Sequence, residues 1–238
     1  MTSDASNARF IALVPAAGSG NRLGGDRPKQ YRELAGRPML WHTLTRLASH
    51  PLIETVAVVL ATDDGVFDSM DWRGVGGLRP VRCGGETRAH SVRNGLASLQ
   101  DEVAADDWIL VHDAARPCLS HEVIDRLVAA LADDAVGGIA ALPVADTLKR
   151  ATSSGRIRET VPREGLWAAQ TPQMFRYGLL ASALAGPLDG ITDEASAMEQ
   201  AGHAPRLIEG DPANLKVTFE RDLASAERWL AAHPHLAL

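Results

Sequence analysis

Short runs of β-branched and other apolar residues alternate along this chain with longer stretches whose apolar positions recur every three or four residues. The short runs, at 10–14, 55–60, 108–112, 138–143 and 206–209, read as strands. Several are apolar without interruption, the pattern of strands covered on both faces and so of a largely parallel sheet. The longer stretches predict helices over 39–49, with Leu40, Leu44 and Leu47 on one face, and over 121–131, with Val123, Ile124, Leu127, Val128 and Leu131 inward behind Ser120 as N-cap. Two more follow, over 193–200 with Thr192 as cap and Gly202 as stop, and over 221–232 with Leu223, Ala226 and Leu230 inward. Strands alternating with helices make an α/β fold, here a mostly parallel sheet with helices on both faces. No internal repeat and no linker divides the chain, so residues 1–238 are expected to form one domain.

Residues 146–170, DTLKRATSSGRIRETVPREGLWAAQ, break this rhythm. The segment is polar, β-tolerant and centred on Ser153, Ser154 and Gly155, which predicts a hairpin. A polar two-stranded ribbon buries too little to be stable alone, so it is expected to pack on the body or on a second subunit.

Charge and composition then remove several function classes. Lys and Arg number 24 against 30 Asp and Glu, a net charge of −6, so the basic excess of a general nucleic-acid binder is missing. The longest apolar runs, such as 56–61 and 139–144, fall far short of the ~20 residues that span a bilayer. The start, MTSDASNARF, has no cationic segment followed by an apolar run, and a cytoplasmic protein is expected. Cys83 and Cys118 lie in different segments without a CxxC pattern, which indicates neither zinc nor a disulfide framework.

Chemistry concentrates in a few places. The first strand runs into Pro15-Ala16-Ala17-Gly18-Ser19-Gly20-Asn21-Arg22-Leu23, with Pro28-Lys29-Gln30 shortly after. Small residues let the backbone approach a polyphosphate, and successive N–H groups form an anion-binding nest. Gly18 and Gly20 supply G-x-G, but Leu23 occupies the third glycine position of the dinucleotide fingerprint, and no G-K-[ST] closes a Walker loop. What remains is a glycine loop with two cations, Arg22 and Lys29, set to reach the same phosphates. The run GGETRAHSVRNGL, residues 84–96, is a glycine turn entering a helical pattern. Its amides and the Ser91 hydroxyl either read the edge of a base or form an ordinary β-to-α turn. Asp113 follows an apolar strand, where α/β folds place ligands, and beside phosphates a lone carboxylate is a normal Mg²⁺ ligand. His112 reads as a satisfied core histidine. Residues 191–196, ITDEAS, read as a capped helix start, and Lys216 lies in a short extended run.

Together the runs PAAGSGNRL, PKQY, GGETRAHSV, VHDAARP, PVADTLKR, LWAAQTPQ, ITDEASAME and NLKVT closely resemble the 2-C-methyl-D-erythritol 4-phosphate cytidylyltransferases of the non-mevalonate isoprenoid pathway, from residue 11 to about 225. The resemblance implies a Rossmann-like nucleotidyltransferase fold with a protruding β-arm at 146–170, through which two subunits clasp as a homodimer. It implies a reaction of CTP with methylerythritol phosphate to give the cytidine-diphospho-alcohol and pyrophosphate. By position, Arg22 and Lys29 match residues that stabilise the transition state, and Asp113 matches the Mg²⁺ carboxylate. Pro15, Ala16, Ala17 and Gly18, with Gly85 and Ser91, match CTP contacts, and Glu86 stands where relatives can carry Asp. Thr147 and Arg163 match substrate-phosphate residues lent by a partner's arm, while Thr171 and Lys216 match those of the body. Asn21 departs from a basic residue found in some relatives, and Ala213 from an acidic one.

The reaction suits a site without an obvious nucleophile and base. A phosphate monoester has a second pKa of about 6, so near neutrality it is already largely dianionic and is its own nucleophile. Three other readings compete: a ribitol 5-phosphate cytidylyltransferase of the same fold, a non-catalytic nucleotide-binding protein, and a dinucleotide-dependent dehydrogenase. The joint presence of Arg22, Lys29 and Asp113 argues against the second, and Leu23 against the third.

Overall fold

A computed structural model of the chain describes residues 8–18 and 28–233. Gly20, Asn21, Arg22 and Leu23 lie outside the described residues. In chain order the elements are β1 (Phe10–Pro15), a small β2 (Glu33–Leu34) and β3 (Arg37–Pro38) hairpin, α1 (Met39–Ala48), β4 (Ile53–Val59), β5 (Leu78–Val81), α2 (Arg88–Ser98), β6 (Trp108–Val111) and α3 (His121–Leu131). There follow β7 (Gly137–Pro143), β8 (Leu148–Ala151), β9 (Ile157–Val161), β10 (Trp167–Arg176), α4 (Tyr177–Ala183), α5 (Glu194–Gln200), β11 (Arg206–Glu209) and α6 (Glu220–Ala232).

Among the described residues, seven strands make the main sheet, in the order β11-β7-β10-β6-β1-β4-β5. Only β10 runs antiparallel to its neighbours β6 and β7; the other pairs are parallel. The apolar runs are explained by what covers them. Ala12 and Val14 of β1 join one buried cluster with Leu40, Leu44, Ile124 and Leu127, from α1 and α3. Ile11 and Leu13 point the other way and join Val92, Leu96, Leu180 and Met198, from α2, α4 and α5. Successive side chains of a strand face opposite sides, so a doubly covered strand must be apolar at every position. Gly95 lets α2 lie close, since a Cβ there would stand 2.6 Å from Val59 Cγ2 and 2.9 Å from Leu13 Cδ1.

The sheet contains β10, for which the apolar pattern gives no strand. Its buried run, residues 170–175, opens with the polar Gln170, Thr171 and Gln173 around Pro172, and the side chains of these three all have hydrogen-bond partners. Hydropathy cannot register burial that is satisfied by hydrogen bonds rather than by apolar contact. The hairpin of the segment 146–170 is consequently shorter than that segment: β8 pairs with β9 as a two-stranded sheet, while Trp167, Ala168 and Ala169 pair with Pro143, Leu142 and Ala141 of β7. At α5 the cap is Asp193, not Thr192. The Asp193 carboxylate accepts from the Ser196 N–H at 3.0 Å, and the Ser196 hydroxyl accepts from the Asp193 N–H at 3.1 Å.

Candidate active site

The chain leaves β1 toward β4 and β5 on one side and later returns to place β6 on the other, so the carboxyl ends of β1 and β6 flank a topological switch point. The register pairs Leu13 with Val111, which two residues further sets Pro15 beside Asp113. A cavity of about 450 Å³ opens there. Its wall contains most of the residues expected from the sequence: Pro15, Ala16, Ala17 and Gly18 on one loop, Gly85, Glu86 and Ser91 on another, and Lys29, Asp113 and Lys216. Gln30, Thr87, Arg88, Ala114 and Ala115 complete it.

The two loops are held together by small residues. A Cβ on Gly84 would lie 2.3 Å from the Ala17 Cβ and 2.9 Å from the Leu60 carbonyl, so any larger residue would force the loops apart. Thr87 caps α2 by accepting from the His90 N–H, and the Ser91 hydroxyl accepts from the Gly85 N–H at 3.1 Å while donating to the Thr87 carbonyl at 3.0 Å. Ser91 thus fixes the turn from within. On the far side of the first loop, Gln30 donates to the Ala16 carbonyl at 2.7 Å and anchors the single 3₁₀ turn that carries Lys29.

Asp113 is the electrostatic centre. One carboxylate oxygen accepts from Arg88 Nε at 2.8 Å; the other is 2.8 Å from Lys216 Nζ and 3.7 Å from Arg116 Nε. Burial by itself would raise its pKa, but the three cations outweigh burial and hold the carboxyl well below the usual carboxylate range. The backbone is fixed as firmly. The Asp113 N–H donates to Thr171 Oγ1 at 3.0 Å, and that hydroxyl is 2.9 Å from His112 Nδ1. His112 Nε2 is 3.1 Å from the Arg116 carbonyl, which can only accept, so the ring carries its proton on Nε2 and Nδ1 accepts from Thr171. Burial pushes His112 down to about 4, which keeps this neutral tautomer at physiological pH.

A second segment, 210–218, crosses behind the carboxylate. Buried Asn214 donates to the Thr171 carbonyl at 2.7 Å and accepts at its own carbonyl from Arg116 at 2.7 Å. The Val217 N–H donates to the Ala115 carbonyl at 2.8 Å. Lys216 is thereby aimed at Asp113.

Not every expected residue joins the cavity. Thr171 is buried, with its hydroxyl engaged by Asp113 and His112 rather than lining the wall. Thr147 and Arg163 are exposed at the base of the hairpin, outside this wall, and Arg163 donates to the Ala145 carbonyl. Arg22 lies outside the described residues. Arg88, Arg116, Gln173 and Asn214 carry roles here that no pattern along the sequence assigns to them. One signal was available: Arg88 is the first residue of α2, and a cation at a helix N-terminus is unfavourable unless carboxylates hold it.

The donor set suits a magnesium ion bound together with a polyphosphate. Mg²⁺ usually takes one or two carboxylates and completes its octahedron with phosphate oxygens and water. Asp113 offers one ionised carboxylate on the cavity wall, and among the described residues no cluster of three acidic, His or Cys ligands competes with it.

A family model described as IspD, 2-C-methyl-D-erythritol 4-phosphate cytidylyltransferase, matches residues 10–232. A protein of that name from Laribacter hongkongensis is 60% identical over 219 residues, covering 92% of this chain and 94% of its own length. A crystal structure of a 4-diphosphocytidyl-2C-methyl-D-erythritol synthase, 45% identical, superposes with a TM-score of 0.84 over 94% of this chain and 99% of the other. The Francisella tularensis 2-C-methyl-D-erythritol 4-phosphate cytidylyltransferase structure, 34% identical, gives 0.81 over 94% and 100%.

Proposed function

The chain belongs to the 2-C-methyl-D-erythritol 4-phosphate cytidylyltransferase family, and we propose that its cavity joins CTP to 2-C-methyl-D-erythritol 4-phosphate, releasing pyrophosphate and forming 4-diphosphocytidyl-2-C-methyl-D-erythritol. The observation that carries the reading is the gathering of Lys29, Lys216 and Arg88 with Asp113 at the β1/β6 switch point, in a wall that among the described residues contains no histidine.

The acceptor phosphate needs no base, being largely dianionic near neutrality. Its oxygen attacks the α-phosphorus in line with the departing pyrophosphate, so the protein's task is to align two anions and offset charge that grows on the non-bridging and leaving oxygens. In this reading the loop from Pro15 to Gly18 and the turn at Gly85, Glu86 and Ser91 receive the nucleotide. Lys29, together with Arg22, stabilises the charge on the transferring group. Lys216 holds the acceptor phosphate, and Thr171 sets the Asp113 backbone behind it. Asp113 would hold a magnesium ion, which when bound neutralises part of the triphosphate charge.

The hairpin of β8 and β9 completes the proposal as a dimer arm. Thr147 and Arg163 are not part of their own cavity wall, and Ile157, Leu166 and Trp167 expose large apolar side chains along the same region. A partner covering that surface would bring Thr147 and Arg163 to the acceptor phosphate. A cytoplasmic location belongs to the same reading, because CTP is a cytoplasmic metabolite; among the described residues no helix is long and apolar enough to cross a membrane.

The test is pyrophosphate release with Mg²⁺ and CTP, comparing methylerythritol phosphate with ribitol 5-phosphate and then replacing CTP by ATP, UTP and GTP. Selective release with CTP and methylerythritol phosphate is expected; preference for ribitol phosphate would overturn the acceptor, and no release with either would overturn the reaction. Mixing inactive Arg163→Ala subunits with inactive Lys29→Ala subunits should restore activity, since one site of the mixed dimer is intact. Absence of rescue despite subunit exchange rejects the arm.

A further inference from the structure

Arg88 is gripped from two elements at once. Its Nε reaches Asp113 at 2.8 Å, while Nη1 and Nη2 reach the two Glu194 oxygens at 2.7 and 2.9 Å. Glu194 is only 2% exposed and is not part of the cavity wall. Burying a carboxylate this deeply is unfavourable unless it is paired and hydrogen-bonded. Nor does α5 need it as a cap, because Asp193 and Ser196 already close the helix start.

Glu194 is itself held in register. Gln173 of β10 accepts from the Ala195 N–H at 2.8 Å and donates to Asp193 Oδ2 at 2.8 Å, so the strand fixes the first turn of α5 on both sides of Glu194. The line of contact runs from Gln173 through Asp193 and Ala195 to Glu194, then Arg88, then Asp113. It absorbs two sequence runs, QTPQ and ITDEAS, that contribute no side chain to the cavity wall. Carboxylates take three of the five guanidinium N–H groups, and Arg88 itself is part of the cavity wall.

We propose that Glu194 is a positioning residue of the nucleotide cavity: its bidentate grip sets the Arg88 guanidinium in the cavity wall beside Asp113, and Gln173 sets Glu194. The inference rests on reading this cavity as the CTP site. Substrate-positioning groups are sensitive to small displacements, because misplacement by about 1 Å can cost up to ~10² in rate.

Three variants test it: Glu194→Asp, which keeps the charge on a shorter stem; Arg88→Ala; and Arg88→Ala/Glu194→Gln, which leaves no buried carboxylate facing an empty partner. KM and kcat are measured with CTP and with methylerythritol phosphate varied separately. CTP binding is also measured by calorimetry in EDTA, and cooperative unfolding is checked for each protein. The expected result is that Glu194→Asp raises the CTP KM about tenfold or more and weakens CTP binding in EDTA, with the methylerythritol phosphate KM little changed. The double variant should match Arg88→Ala, since Glu194 acts through Arg88. A folded Glu194→Asp protein with parental CTP binding, beside an impaired Arg88→Ala protein, overturns the role of Glu194 alone. If Arg88→Ala itself binds CTP normally, both the role and the CTP reading of this wall are overturned.

Discussion

The Lys29 ammonium donates to the main-chain carbonyl of Val217 at 2.6 Å, joining two residues 188 positions apart. The neighbouring Lys216 ammonium is 2.8 Å from Asp113, so one short segment supports one cation and supplies another. Lys29 is therefore delivered to the cavity by tertiary contact and not by its loop alone. Replacing it with Ala should lower kcat by ~10²–10³, the usual loss for one preorganised electrostatic group. Pyrophosphate release measures the rate, and an unchanged urea midpoint confirms that the fold survives. Turnover close to the parent's would remove Lys29 from the chemistry.

Asn214 should show its effect in stability and in catalysis together. Its side chain is fully buried and provides a donor to the Thr171 carbonyl, while its main-chain carbonyl accepts from Arg116. Asn214→Ala leaves the Thr171 carbonyl without that donor, a loss of about 1–3 kcal/mol. The same change loosens the segment that aims Lys216, so the KM for methylerythritol phosphate should rise more than that for CTP. Urea unfolding and two-substrate kinetics read the two effects. A destabilised protein with both KM values unchanged would confine Asn214 to the fold.

What was legible in the sequence divides along a physical line. Strands covered on both faces, such as β1 and β6, announce themselves because every position must be apolar. The loop at Pro15–Gly18 and the carboxylate at Asp113 were legible because each follows directly on such a strand. β10 was not, because Gln170, Thr171 and Gln173 are buried by virtue of hydrogen bonds that only the folded chain supplies. The pair of Arg88 with Glu194 spans 106 positions, and no local spacing rule connects charges so far apart. Glu194 reads locally as a dipole-complementing residue of α5, which it also is; its guanidinium partner comes from α2.

Arg46 gives an expectation of opposite sign, a substitution that stabilises. It lies on α1, whose residues from Met39 to Leu47 are all buried, and is itself 3% exposed. Among the described residues its Nε and Nη2 have no hydrogen-bond partner. Burial pushes the guanidinium down to about 10, a sign that the charged form is disfavoured there. Arg46→Met keeps an unbranched apolar stem and removes the charge, and should raise stability by about 1–3 kcal/mol. Thermal and urea midpoints decide the matter. A lower midpoint in both would mean that the guanidinium is a net contributor to the fold.

His42, one turn before Arg46 on α1, should carry part of the acid sensitivity. It is buried, with Nε2 2.6 Å from the Leu34 carbonyl. Burial first, then the positive charges of Arg46 and Arg37, lower its pKa below the ordinary 6.5, while the Leu34 carbonyl opposes them. The folded protein therefore holds His42 neutral where the unfolded chain has begun to take up a proton. Stability from this group is complete above about pH 6.5 and is lost as pH falls through the window below it. His42→Gln keeps a donor for Leu34 without a titrating ring, so its stability should fall less steeply than the parent's between pH 7 and 5 in urea unfolding. The gap between the two curves isolates His42 from the carboxylates and the other histidines that titrate alongside it. Arg46→Met removes one of the charges that depress His42, so in that background the two slopes should draw closer together. Parallel curves for parent and His42→Gln would rule out a protonation penalty at this site.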